Sequence, residues 1–282
     1  MIVEAERPLV LDFGMHRGED TEFYLACGAN VLAFEANRDL VEQNKLRFAA
    51  PIAARRLEII AGAIVPPDFA GEEVTFYVDN RRSVWGTTDS TWAERNAGLG
   101  TGVTAVTAQA VDLEAILDRC KRILYAKVDI EGADRFVLDT LRVSRTRPDY
   151  ISIESDKVQL QAVIDEIETL QGLGYSRFAA VQQATIPGSS VHGKRLDGGP
   201  LDFRFKKHAS GPFGPFLKQD YKSAGEVIDQ YRSIFRAYAR FGDTSWLMKA
   251  APLRLATRAI NLALVKTISR PLCGWYDTHA AR

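Results

Sequence analysis

Short apolar runs that stop on an acid, each followed by a helical segment, recur along this chain and constrain its fold more than any other feature. "PLVLDF" (8–13) carries Asp12 and leads through Gly14 and Gly18 into "EDTEFYLACG", a helix that stops at Gly28. "NVLAFE" ends on Glu35, and residues 38–50 have helical spacing with Leu40, Val41, Asn44, Leu46 and Phe48 on one side. "RILYAKVDIEG" reads as a buried strand ending in Asp129 and Glu131, with "ADRFVLDTL" as its helix. "DYISIE" ends on Glu154. The segment after it puts Leu160, Val163, Ile164, Ile167 and Leu170 in helical register before a glycine stop. Such alternation predicts an α/β fold, a mostly parallel sheet with helices on both faces. "YSRFAAVQQ" (175–183) and "LDFRFKKH" (201–208) are expected to close that sheet as a hairpin-like pair.

The chain's bulk properties exclude several classes. Its 282 residues, 46% of them apolar, suffice for one large core or for a core plus a small appended domain. Basic and acidic residues balance at 36 each, so no overall field points to nucleic acid. Three scattered cysteines (Cys27, Cys120, Cys273) make neither a disulfide framework nor a zinc site. "MIVEAERPLV" lacks the basic and apolar regions of a signal peptide, and no run is long enough to span a membrane, so a cytoplasmic protein is expected.

In open sheets of this kind, ligands sit beyond the carboxyl ends of the strands, so the residues that end strands are the informative ones. Here they are Asp12, Glu35, Asp129 with Glu131, and Glu154, all acids. The glycine turn reads G-x-x-x-G, not G-x-G-x-x-G, and no GK[ST] follows, so the phosphate-binding fingerprints fail. S-adenosylmethionine fits such a site better: it has no phosphate, a cationic methionine end and two ribose hydroxyls. An acid near the glycine turn can face the cation, and Glu35, about 20 residues on, has the spacing expected for the ribose. Each acid taken alone also reads as a helix cap or a solvated loop residue.

The segments "VLDFGMHRGEDTEFYLACGANVLAFEAN" and "VDLEAIL…ILYAKVDIEGADRFVLDTL…ISIE" resemble those of the FkbM-type methyltransferases, over roughly residues 9–181. The resemblance implies a class I, Rossmann-like methyltransferase fold with a seven-stranded sheet whose last strand is antiparallel. It implies S-adenosylmethionine as cofactor, held by Asp12, Gly14, Gly18, Glu35, Ala36 and Asn37. It also implies O-methylation of hydroxyls on sugars or polyketide-like products. Ala36 stands where family members usually have proline, and the tail beyond about residue 210 is longer than the minimal domain. The expected division is a methyltransferase domain over 1–210 and a helical extension over 211–282. Amine, carboxylate or lipid-linked acceptors, and a non-catalytic nucleoside-binding module, stay open as alternatives.

Methyl transfer to a hydroxyl needs alignment first and a base second. Asp129 and Glu131 alternate on an extended end and can serve as general base, as electrostatic partners of the sulfonium, or as ligands for Mg²⁺; Glu131 also reads as a simple helix start. Lys127 is expected to pair with one of these carboxylates. Trp85 and Trp92, in the Gly- and Ser-rich stretch 80–102, suit packing or sugar stacking. Residues 223–241 carry an apolar stripe that must dock on something, and 252–270 form a basic amphipathic segment. That segment can cover the domain, form a homodimer face, or lie on an anionic membrane at the inner face, where a lipid-linked glycan is presented. "GWYDTHA" then suggests a tail folded back over the acceptor, with Asp277 fixing the tautomer of His279 and His279 taking the hydroxyl proton.

Overall fold

The computed structural model describes residues 7–79, 103–130, 132–155, 159–242, 245, 251–268 and 274–282. In chain order these form β1 (Leu9–Phe13), α1 (Glu19–Ala26), β2 (Asn30–Glu35), α2 (Arg38–Arg47), α3 (Ala49–Ala53), β3 (Leu57–Ala61) and β4 (Ala63–Ile64). There follow β5 (Glu73–Asp79), β6 (Val103–Val111), α4 (Leu113–Leu117), β7 (Ile123–Val128), α5 (Asp134–Val143), β8 (Tyr150–Glu154) and α6 (Leu160–Gly172). The last elements are β9 (Arg177–Gln182), β10 (Ser190–Lys194), β11 (Pro200–Arg204), α7 (Ala224–Phe241), α8 (Ala251–Ile268) and β12 (Tyr276–Ala281). Glu131, Trp85 and Trp92 lie outside the described residues.

Seven strands form a sheet in the order β3-β2-β1-β7-β8-β12-β9, with parallel pairing of β3, β2, β1 and β7 and antiparallel pairing of β12 with β9. This is the α/β, mostly parallel sheet expected from the strand–helix alternation. The closing strands differ from the sequence reading. Residues 201–204 pair with 190–194 in a separate two-stranded sheet, and the antiparallel partner of β9 is Tyr276–Ala281. The extension over 211–282 therefore contains two long helices but ends in a strand of the sheet. A third sheet, β4-β6-β5, holds the alternating segment 73–79.

The chain forms two compact units, Met1–Ile151 with His192–Phe203, and Ser152–Val191 with Arg204–Arg282. The core of the first is built on the strands themselves. All five residues of β1 and all six of β2 are buried, and Phe13 stacks on Phe34 with ring centroids 4.6 Å apart. Burial on both faces is what turns these strands into continuous apolar runs rather than alternating ones. On α2 only Leu40, Val41 and Asn44 are buried, and Leu46 faces solvent.

In the second unit, α7 begins with a capping box, Ser223 and Glu226 bonding each other's backbone N–H, and packs on α6 and β9. Of its apolar stripe, Val227 and Tyr231 are buried. Ile234, Phe235 and Tyr238 line a shallow cleft with Ser155, Gly274, Trp275 and Tyr276. Tyr231, Ser155 and Thr278 close a ring of three buried hydroxyls at 3.0, 2.5 and 2.7 Å, which joins α7, the residue after β8, and β12. On α8, Leu253, Leu255, Ile260 and Leu262 are exposed, and among the described residues no helix is long and apolar enough to cross a membrane.

Because β12 is an interior strand of the sheet, removing it exposes two strand edges at once. Ending the chain before Tyr276 is expected to abolish cooperative folding of the second unit, read as loss of a single urea transition. A soluble truncated protein with the full-length midpoint would show that β12 is dispensable.

Candidate active site

Of the strand-ending acids, the first unit gathers Asp12 and Asp129 around Lys127 and sets Glu35 against the turn after β1, while Glu154 belongs to the second unit. Asp12 and Lys127 face each other across β1 and β7 as parallel register partners, so their side chains emerge on the same face. Asp129, two residues beyond Lys127, joins them, and α1 adds Asp20. The Lys127 ammonium lies 3.2 Å from Asp129 Oδ2, 3.4 Å from Asp20 Oδ2 and 4.0 Å from Asp12 Oδ1, and donates to the Gly14 carbonyl at 3.4 Å. Lys127, Asp20 and Asp12 are buried, whereas the Asp129 side chain is 35% exposed.

Thr21 Oγ1 donates to Asp12 Oδ2 at 2.5 Å, while Asp12 Oδ1 is buried without a hydrogen-bond partner. Burial pushes the Asp12 carboxyl up to about 7; Lys127 and the Thr21 hydroxyl oppose the rise, and Asp20 and Asp129 add to it. Burial works against the Lys127 ammonium, but Asp129, Asp20 and Asp12 together outweigh it and hold the group protonated.

Gly14 and Gly18 are turn residues for steric reasons visible in the structure. Both have positive φ (80° and 78°); a Cβ on Gly14 would sit 2.0 Å from the Asp129 carbonyl oxygen, and one on Gly18 would sit 2.4 Å from the Phe48 ring. The turn is tied to β2 by Glu35, whose Oε2 accepts from His16 N at 2.8 Å and whose Oε1 accepts from Asn37 N at 2.9 Å. Burial raises the Glu35 carboxyl, and these two N–H groups oppose the rise. Asn44, buried on α2, donates to the His16 carbonyl from the other side. Each Glu35 oxygen has a second lone pair left for a hydroxyl.

The other residues singled out from the sequence have visible structural duties. The Asn37 side chain caps α2 by accepting from Asp39 N and Leu40 N. Ala36 packs on the cluster of Ala63, Phe76 and Ala108. His279, read as a proton acceptor on a folded-back tail, lies instead inside β12, opposite Ala179 and 2% exposed. Neither ring nitrogen has a partner, and burial pushes the imidazole down to about 3, so it stays neutral as a core residue of the second unit. Among the described residues no group of three or more His, Cys, Asp or Glu is arranged to hold a metal ion.

Asp20, Thr21 and Asp134 were not singled out from the sequence. The Asp134 oxygens accept from Ile130 N and Gly132 N, fixing the loop that carries Asp129. Asp20 sits among three acids in the first turn of α1, which the helix dipole alone accounts for. Its spacing to Phe23, Tyr24 and Cys27, all buried, was the available signal that it points inward.

The FkbM methyltransferase domain model matches residues 12–177, more than half of the chain and all of the site just described. The chain belongs to the FkbM methyltransferases. It is a methyltransferase. No curated protein matches it. Among solved structures, this FkbM methyltransferase is similar to a SAM-dependent methyltransferase from Archaeoglobus fulgidus, at 13% identity over 98% of this chain and 87% of that one, with a TM-score of 0.37. It is also similar to one from Thiobacillus denitrificans in complex with S-adenosyl-L-homocysteine (12%, 100% and 88%, TM-score 0.33). A third likeness is to a precorrin 8w decarboxylase of Methanobacterium thermoautotrophicum (12%, 71% and 77%, TM-score 0.33).

The raised Asp12 carboxyl has a thermodynamic signature. The folded state holds this proton up to about pH 7, whereas an unfolded aspartate loses it near its ordinary value of 3.8, so stability falls as pH rises between the two. Asp12→Asn removes that slope. Between pH 5 and pH 8 the unfolding free energy from urea titrations should fall more for the wild type than for the variant, by an amount on the order of a few kcal/mol. Parallel profiles would mean that Asp12 is ionised throughout.

Proposed function

We propose that this enzyme transfers a methyl group from S-adenosylmethionine to a hydroxyl of a sugar, glycan or related natural product. The reading is carried by one observation. A buried ammonium is surrounded by three carboxylates, and one carboxylate oxygen, Asp12 Oδ1, has no hydrogen-bond partner. A buried carboxylate oxygen left without a hydrogen-bond partner suits a cationic ligand. The methionine end of S-adenosylmethionine is one, so the residues present fit the cofactor.

When bound, that cofactor supplies an electrophilic methyl group on a cationic sulfur. The chain's own residues do the rest. Asp20 and Asp129 provide the negative field, to which Asp12 adds once it loses its proton above about pH 7. Glu35, held rigid by the His16 and Asn37 N–H groups, accepts from the ribose hydroxyls with its free lone pairs. Asp129, the most exposed acid of the cluster, takes the acceptor hydroxyl proton at its carboxylate, with Lys127 orienting it from 3.2 Å. Lysine and the Asp134-fixed loop keep that carboxylate in place, so the acceptor oxygen meets a fixed base.

Label from methyl-tritiated S-adenosylmethionine, offered with a panel of monosaccharides and glycosides, should enter products that survive mild alkali, as ethers do. Alkali-labile label would identify a carboxylate acceptor instead. On a productive acceptor, Asp129→Asn should retain the fold and lose about 10²–10⁴-fold in turnover, the usual share of a general base. A wild-type rate would remove Asp129 from the chemistry.

The ribose role has its own test. In Glu35→Gln an amide NH₂ must face one of the two backbone N–H groups, which costs the acceptor geometry. Calorimetry should show S-adenosylmethionine binding weakened about tenfold, or about 1.4 kcal/mol. Unchanged affinity would exclude Glu35 from the ribose.

A further inference from the structure

The shallow cleft on α7 is made of residues that the methyl donor site does not use. Its lining belongs to the second unit, whereas Asp12, Glu35, Lys127 and Asp129 belong to the first. Along α7, Tyr231, Ile234, Phe235 and Tyr238 recur at i, i+3, i+4 and i+7 and so share one helical face. Trp275 and Tyr276, at the entry to β12, continue the lining, and Trp275 is 46% exposed. Aromatic faces carry negative potential and attract polarised C–H groups. Aliphatic lining, which a hydrocarbon chain would need, is limited to Ile234. A shallow aromatic surface suits a flat saturated ring laid on one face.

The polar part of the lining asks for hydroxyl groups. Ser155 and Tyr231 are buried and share the hydroxyl ring with Thr278. That ring uses one proton and one lone pair of each hydroxyl, so Ser155 and Tyr231 each keep a spare acceptor and offer no donor. The donor lies beside Gly274. At the end of β9, Gln182 Oε1 accepts from Ala184 N at 2.6 Å, which fixes the amide and turns Nε2 the other way. This nitrogen is buried without a hydrogen-bond partner, and it lies so close to the lining residue Gly274 that a Cβ there would clash with it. Such an orphan costs free energy until an acceptor meets it.

We propose that this cleft is a binding site for a sugar ring, held by its C–H face on the aromatic lining and by its hydroxyls on the spare acceptors of Ser155 and Tyr231. An oxygen of the same ring takes the Gln182 N–H. The inference deepens the glycan reading proposed above and rests on it for the choice of a sugar among hydroxyl-bearing rings.

Saturation-transfer NMR on the full chain, with methyl glycosides of glucose, galactose, mannose and rhamnose as probes, tests this without any turnover. At least one glycoside should receive saturation on its ring C–H protons. Tetrahydropyran, a similar ring without hydroxyls, should bind about tenfold more weakly, since it cannot donate to the spare acceptors. Phe235→Ala and Trp275→Ala should each weaken the glycoside by about tenfold and leave the affinity for S-adenosylhomocysteine unchanged. If Phe235→Ala does not fold, Trp275→Ala, at an exposed position, still decides. No saturation of any glycoside, or tetrahydropyran bound as well as the glycosides, would overturn the inference. Glycosides that are methylated but bind both variants as they bind the wild type would overturn the cleft and leave the proposed function standing. Cleft binding as described, with no sugar methylated, would support the cleft and count against the proposed function alone.

Discussion

One buried lysine, surrounded by aspartates, is the contact on which the active-site end of the first unit depends. Lys127 comes from β7, Asp12 from β1, Asp20 from α1 and Asp129 from the loop after β7, so a single ammonium joins the ends of three elements. The parallel register sets Asp12 against Lys127, and the strand period sets Asp129 on the same side. Burial makes each of these charges costly alone, so removing one partner leaves the others exposed to the full penalty. The lysine also donates to the Gly14 carbonyl, which extends the arrangement into the glycine turn.

The turn itself shows why binding and building are hard to separate here. Gly14 passes so close to the Asp129 carbonyl that no side chain fits, and His16 adopts φ 50°, a left-handed conformation uncommon for residues other than glycine. Glu35 and Asn44 hold His16 from both sides through its N–H and carbonyl. The acid that ends β2 is thus both the anchor of the turn and the acceptor best suited to a ribose. Asn37 and Ala36, by contrast, have their side chains committed to a helix cap and to packing.

Much of the first unit was legible in the sequence because its signals are local. An apolar run that stops on an acid needs only its own residues to be recognised, and Asp12, Glu35 and Asp129 are of this kind. Asp20 was hidden because an acid in the first turn of a helix already has a sufficient local reason to be there. The closing strand was hidden for a different reason. In "YDTHAA" the residues at 277, 278 and 279 are polar yet buried. Thr278 is accommodated there by Ser155 and Tyr231, which local sequence does not reveal. The same residue types read as a solvent-facing catalytic tail when their surroundings are unknown. The hairpin expected from 201–208 failed likewise, since two short strands do not state which sheet they join.

The hydroxyl ring of the second unit has a property of its own. Each of its three hydroxyls has one proton, and each oxygen can accept, so three protons circulating in one sense satisfy the whole ring. The opposite sense satisfies it equally well, without displacing a heavy atom, so the ring has two equivalent proton arrangements and interconverts only if all three turn together. Its members stand 47, 76 and 123 residues apart along the chain. Three remote segments are thus fastened by a polar knot whose donors are all used within itself.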